Sequence, residues 1–228
     1  MLLNSVEYLP QKVYNKCGGD CMDKMNTEQK ILQRMDQENA GSIFINADFL
    51  DIAKSNTLRK SLKRLVDDNK ITRILDGMYT KLEFSRILNK QIYPSPVSVA
   101  HAIARKFNWY IFPSKNTALN MVGLSTQISN TYEFLSDGPY RNYTYINSEI
   151  IFKKSANKKI KIDSDSLVTL VVALDSYGKS NINLKEINII TSYIIENKIT
   201  IKILEQNKTI PGWMYQLIND ILKKEAEK

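Results

Sequence analysis

Residues 42–80, SIFINADFLDIAKSNTLRKSLKRLVDDNKITRILDGMYT, constrain the fold more than any other run of this chain. They offer, in order, a short strand, a short helix, a basic amphipathic helix and a hairpin centred on Asp76-Gly77. A winged helix-turn-helix needs these elements in that order behind a first helix. Leu58, Leu62, Leu65 and Val66 recur at the spacing of one buried helical face. Asn56, Thr57, Lys60, Lys63 and Arg64 then fall on the opposite side, with Arg59 on the flank. Between Lys54 and Arg64 the chain carries five basic residues and no acidic one. Asp67 and Asp68 close the helix against its macrodipole, so it is not tuned for helix stability alone. Ser55 or Asn56 is the expected N-cap, which brings Asn56, Thr57 and Lys60 to the helix start. In helix-turn-helix docking that end of the second helix reaches base edges in the major groove.

The hairpin follows at once. Strand-like runs at 70–75 and 78–82 flank Asp76-Gly77, which predicts a type I′ turn with two positive-φ residues. Arg73 and Lys81 are the wing's candidate phosphate contacts. A solvated basic face on a small α/β unit is the plain structural alternative for the helix alone. Together with the hairpin, the helix points to nucleic acid. Winged helices that bind protein or RNA stay open as the alternative reading.

The chain has 228 residues, 43% of them apolar, enough for one or two cored domains. Its net charge of +8 suits a polyanionic partner. No apolar run is long enough to span a membrane, and the opening residues lack the apolar stretch of a signal peptide. A cytoplasmic protein without membrane contact is expected. Cys17 and Cys21 are the two cysteines and His101 the one histidine. A zinc site needs about four ligands, so no metal or other cofactor is expected. Residues 1–25 show no sustained period and are expected to be a poorly ordered leader or an extended translation start.

The expected fold is α+β. Residues 26–90 form the winged helix-turn-helix, with a helix over 28–39 capped by Thr27, a strand at 42–45, a helix at 47–53 with Phe49, Leu50 and Ile52 inward, the basic helix at 55–68 and the wing at 70–82. A connector over 83–96 leads to a second α+β domain, 91–228 in all. There, helices at 97–107 and 114–121 flank a strand at 109–112. Strand-like runs at 131–135, 140–145 and 149–154 predict a short antiparallel meander. Helices at 163–177, 185–196, 199–205 and 212–224 form a helical C-terminal tail.

The stretches FINADFLDIA, LRKSLKRLVDDNKITRILDGMYT, SVAHAIARKFNWYIFPSKNTALNMVGLSTQISNTYEFLSDGPYR and PGWMYQLINDIL carry a resemblance. ALNMVGLSTQI with FLSDGPYR is its most specific part. From about Glu28 to the C-terminus the chain resembles the AbiEi-type antitoxin family of type IV toxin–antitoxin systems, which serve abortive infection and phage defence, in the short form with a winged-helix head. The resemblance implies a transcriptional regulator whose DNA-binding head represses its own operon at operator repeats. It also implies a second domain that counters a nucleotidyltransferase-like toxin without requiring a stable complex.

Enzyme chemistry finds little footing. Asp137, Glu149 and Lys153 suggest a metal-dependent nuclease, but Glu149 and Lys153 stand four apart where that motif wants two. Ser125-Thr126 lacks the Gly-x-Ser-x-Gly of a nucleophile elbow, and no glycine-rich phosphate loop is present. His101 lies on an apolar helix face and is expected to be a core histidine rather than a general base. The chain therefore reads as a non-enzyme with no catalytic residues. Its candidate DNA-binding residues are Asn56, Thr57, Arg59, Lys60, Lys63, Arg64 and Arg73. Lys153, Lys154, Lys158, Lys159 and Lys161 make a second basic patch, either a solvated loop or added phosphate contact to flanking DNA or an RNA. Tyr140, Arg141, Tyr143 and Tyr145 lie near it; alternate tyrosines there pack a sheet face or stack bases.

Overall fold

The structure, a computed structural model, describes residues 25–127, 129–155 and 164–227. The leader up to residue 24, the two cysteines and Lys158, Lys159 and Lys161 lie outside the described residues. The fold is α+β, as expected.

Helix α1, Thr27–Gln37, opens with a capping box. Asn26, not Thr27, is the cap: its Oδ1 accepts from Gln29 N, and the Gln29 side chain accepts from Asn26 N. Strand β1, Ile43–Ile45, leads into a 3-10 turn, Asn46–Phe49. This single turn replaces the helix expected at 47–53. Phe49 is buried but Leu50 is exposed, so the apolar run is too short to supply a helical stripe. Helix α2, Ser55–Asp67, buries Leu58, Ser61, Leu62 and Leu65. Its N-cap is Lys54, which makes no side-chain cap hydrogen bond. The helix thus depends on its buried face.

Strands β2, Thr72–Leu75, and β3, Met78–Thr80, form the wing. Only Gly77 takes positive φ at the tip, at 66°, so the turn is not type I′. The register shifts between Arg73 and Leu75, a bulge-like irregularity just before the turn. β1 pairs antiparallel with β3, giving the sheet order β1-β3-β2. Beneath it, Ile31, Met35, Phe44, Phe49, Leu58, Leu62, Leu65, Ile71 and Tyr79 form one core.

The expected connector is itself a hairpin of β4, Glu83–Ser85, and β5, Lys90–Ile92. Asn89 takes a positive φ of 47° within it, a position Asn tolerates. Helix α3, Pro96–Phe107, starts at a Ser95 cap with proline in its first turn. It packs back onto β1. Ile45 and Met78 of the first sheet share a core with Val99, Ala100, Ile103, Phe134, Ile150 and Phe152.

Strand β6, Ile111–Pro113, and helix α4, Lys115–Val122, precede strands β7, Thr131–Ser136, β8, Arg141–Tyr145, and β9, Ser148–Lys154. The sheet order is β6-β7-β9-β8, with β7 and β9 parallel. The three strands expected as an antiparallel meander therefore keep only its β8–β9 hairpin. Burial explains the order. Ile150 and Phe152 of β9 are fully buried, whereas RNYTY of β8 is mostly exposed. The apolar strand takes the centre and the polar one the edge. Helices α5, Asp165–Tyr177, α6, Leu184–Glu196, α7, Ile201–Glu205, and α8, Gly212–Ala226, complete the chain. They bury a third core around Leu167, Leu170, Leu174, Ile190, Ile194, Met214 and Ile218. Trp213, in the first turn of α8, packs against this core.

Candidate nucleic-acid interface

The exposed face of α2 carries the residues expected there. Asn56, Thr57, Arg59, Lys60, Lys63 and Arg64 are all exposed. They do not form one cluster. Arg59 and Lys63 turn toward the wing and line a groove of about 850 Å³ between α2 and the β2–β3 turn. Arg73 lines the same groove from β2. Arg64 leans the other way, its guanidinium 3.4 Å from Glu28 on α1. Asn56, Thr57 and Lys60 stand on the first turns of α2, outside the groove lining.

The wing is held by its own charges. Arg73 pairs with Asp76 at the tip and donates from Nε to the Leu75 oxygen at 3.4 Å. Lys81 is drawn away to Asp36 on α1, so this expected phosphate contact does not join the groove. Tyr79 lines the floor, and burial pushes its hydroxyl above the ordinary value of 10, leaving it a neutral donor at physiological pH.

Lys106, Asn46 and Asp67 also line the groove and were not among the site residues expected from sequence. Lys106, in the last turn of α3, reaches across and donates to the Asp76 main-chain oxygen at 2.6 Å. Asn46 lines the wall, and its buried Oδ1 has no hydrogen-bond donor among the described residues. Asp67, at the end of α2, adds a second carboxylate to the lining, with Asp76. The groove therefore gathers four cations, Arg59, Lys63, Arg73 and Lys106, against two anions. The one local sign of Lys106 is the basic pair Arg105-Lys106 ending its helix. Its partner is thirty residues away and comes near only when α3 docks on the first sheet.

Arg105, its neighbour, secures that docking. It donates to the Ile43 oxygen at 2.8 Å and to Asp48 Oδ2 at 2.9 Å. His101 is not a core histidine. Its side chain is 38% exposed and its Nδ1 lies 3.5 Å from Asp165 Oδ2 at the start of α5. The buried stripe of α3 runs through Val99, Ala100 and Ile103, which leaves His101 at its edge.

The second basic patch is divided. Lys153 on β9 pairs with Glu133 on β7 at 2.6 Å, and that hydrogen bond holds the lysine above its ordinary value. Lys154 is exposed. Asp137, Glu149 and Lys153 each turn to a different neighbour. Asp137 accepts from Tyr110 N at 2.9 Å, and Glu149 accepts from Asn142 at 3.3 Å. Among the described residues no group of three His, Cys, Asp or Glu side chains is placed to hold a metal ion. No helix among them is long and apolar enough to cross a membrane.

Residues 30–204 match the model of a family of unknown function, DUF6088. The chain belongs to that family. The matched span runs from α1 into α7 and includes every groove residue named above. No curated protein matches the chain.

Proposed function

We infer that this protein binds double-stranded DNA through the groove between α2 and the wing. The observation that carries the reading is the convergence of Arg59, Lys63, Arg73 and Lys106 on one groove beside an exposed, basic helix face. Duplex DNA presents a phosphate every few ångströms, and each one neutralised releases counterions. The start of α2 offers Asn56 and Thr57 to base edges, and the wing offers Arg73 to the backbone.

The fuller reading makes the protein a cytoplasmic repressor of its own operon and the antitoxin of a type IV system. The stretches that resemble the AbiEi-type family support it. The protein acts by binding, without catalysis and without a cofactor. The region beyond Pro96 counters a nucleotidyltransferase-like toxin.

The test is fluorescence anisotropy with duplex DNA from upstream of the gene and an unrelated duplex of equal length. The upstream fragment should bind more tightly. Arg59→Ala or Lys63→Ala should weaken binding by about 1–3 kcal/mol where a base contact is lost, or lower the salt slope where a phosphate contact is lost. Equal affinity for both fragments, indifferent to these changes, would overturn the reading. For the antitoxin role, co-expression should relieve growth arrest caused by a neighbouring nucleotidyltransferase-like gene, without the two proteins co-purifying.

Asp67 and Asp76 in the same groove favour a second reading, a protein- or RNA-interaction module. Co-purification of a partner, together with no preference among duplexes, would select it.

A further inference from the structure

Lys106 belongs to two neighbourhoods. Its ammonium bonds the wing tip and also lies 5.3 Å from the centroid of the Phe107 ring. Phe107 stacks on Trp109 with centroids 4.8 Å apart and planes 21° from parallel. The Arg141 guanidinium, from β8, lies 5.3 Å from the Phe107 centroid and 6.0 Å from that of Trp109. A stack of two aromatic rings with a cation at its flank thus begins where the groove ends.

The stack is fixed in place. Phe152 meets Trp109 edge-on at 5.6 Å. The main chain at Gly138 presses on the indole so closely that a Cβ there would sit 2.5 Å from ring carbons. Rings already ordered by packing lose little entropy when a ligand arrives. The stack is also open. Phe107 is 36% exposed and Tyr140, beside Arg141 in sequence, is 62% exposed. Arg141 differs from the arginines at 34, 64, 73 and 105, each of which pairs with a carboxylate. Among the described residues the Arg141 side chain has neither an ion pair nor a hydrogen bond, so its five N–H groups remain for an acceptor from outside.

Trp109 is covered on both faces, by Phe107 and by Gly138, so the outer face of Phe107 is the one left to stack. A ring face beside an unpaired guanidinium matches a nucleobase together with its phosphate. A duplex keeps its bases inside the helix and cannot offer their faces. We propose that the outer face of Phe107, backed by Trp109 and flanked by Arg141, forms a stacking site for an unpaired base of a single DNA strand, continuous through Lys106 with the α2–wing groove. The choice of DNA over RNA rests on the duplex reading above; the stacking site itself does not.

The test uses the full chain and a labelled oligo-dT of about 15 nucleotides, near the span one such platform covers. Phe107→Ala and Arg141→Ala should each weaken its binding about tenfold. The upstream duplex should bind both variants as it binds the parent. Arg141→Lys keeps the charge on an exposed side chain but loses the planar fork of N–H donors, so it too should lose single-strand affinity while melting as the parent does. Lys63→Ala should show the converse pattern. Absence of oligo-dT binding, or binding unchanged in the Arg141 variants, overturns the proposal. Binding of oligo-rU but not oligo-dT overturns the assignment to DNA. Failure of the duplex reading would appear in the duplex arm and leave the oligo-dT arm readable.

Discussion

Lys106 at the end of α3 donates a 2.6 Å hydrogen bond to the main-chain oxygen of Asp76 at the tip of the wing. This bond links α3 to the turn between β2 and β3. Its side chain is 28% exposed, so the charge is only partly screened. The wing tip is also tied by Arg73, which pairs with Asp76 and donates to the Leu75 oxygen. Lys106→Met should therefore loosen the tip more than it weakens the fold. A stability loss of about 1 kcal/mol is expected, the net value of one such bond. Duplex affinity should fall by more than removal of one phosphate contact explains. Hydrogen exchange at Gly77 and Met78, compared with Leu62, checks the prediction: faster exchange confined to the wing supports it.

Gly138 gives a second outcome. A Cβ there would lie 2.5 Å from Trp109 Cδ2 and Cε2, closer than any relaxed contact allows, whereas one at Gly212 meets nothing within 4 Å. Trp109 cannot retreat, because Phe107 and Phe152 hold its other sides. Gly138→Ala should cost roughly 1–3 kcal/mol, the usual range for overpacking. Gly212→Ala, in the first turn of α8, should be neutral or slightly stabilising. Thermal unfolding of the two variants separates them. Equal melting temperatures would contradict the close packing of Gly138 on the indole.

Features carried by local periodicity were legible in the sequence, and those made by distant docking were not. Leu58, Leu62 and Leu65 fix the buried face of α2, so the exposed positions of Arg59, Lys60, Lys63 and Arg64 follow from helical geometry alone. That geometry does not say which flank meets the wing. Arg64 turns to Glu28 and Arg59 to the groove because α1 and the wing lie on opposite sides of α2. Lys106 could not be found locally, since its role depends on α3 folding back onto β1. His101 was misplaced because Val97, Ala100 and Ala104 suggest a stripe about one residue away from the one that Val99, Ala100 and Ile103 bury. Phe107 and Trp109 look like the end of a helix and the start of a strand. Asn108, at a φ of 55°, reverses the chain between them and lays one ring on the other.

The buried face of α2 should dominate stability, and its basic face should matter little to it. Leu62 is fully buried in the first core. Leu62→Ala should cost about 2–5 kcal/mol, transfer and cavity terms together. Lys60→Ala, on the exposed side, should stay within about 0.5 kcal/mol. Urea unfolding gives both values. The two variants should share the parent's m-value, because neither changes how much surface unfolding exposes. A loss at Lys60 comparable to that at Leu62 would mean that the helix is held by its charged face.

Arg34 and Asp51 set an acid limit. The Arg34 guanidinium meets both Asp51 oxygens at 2.6 Å and also donates to the Asp48 main-chain oxygen at 2.6 Å. This clamps α1 to the 3-10 turn that precedes α2. The hydrogen bonds from Arg34 hold the Asp51 carboxyl down at about 2, below its ordinary 3.8. A carboxyl lowered on folding stabilises the protein at every pH above its unfolded value. That contribution declines as pH falls from about 4 and is lost below about 2. Asp51→Asn should therefore melt below the parent at neutral pH, and the gap should close through this acid window. The pair is exposed, so high salt should narrow the neutral-pH gap as well. Melting curves of both proteins at neutral pH and at steps down through the window provide the check. A gap that persists unchanged at the acid end would show that Asp51 acts through packing or neutral hydrogen bonds rather than through its charge.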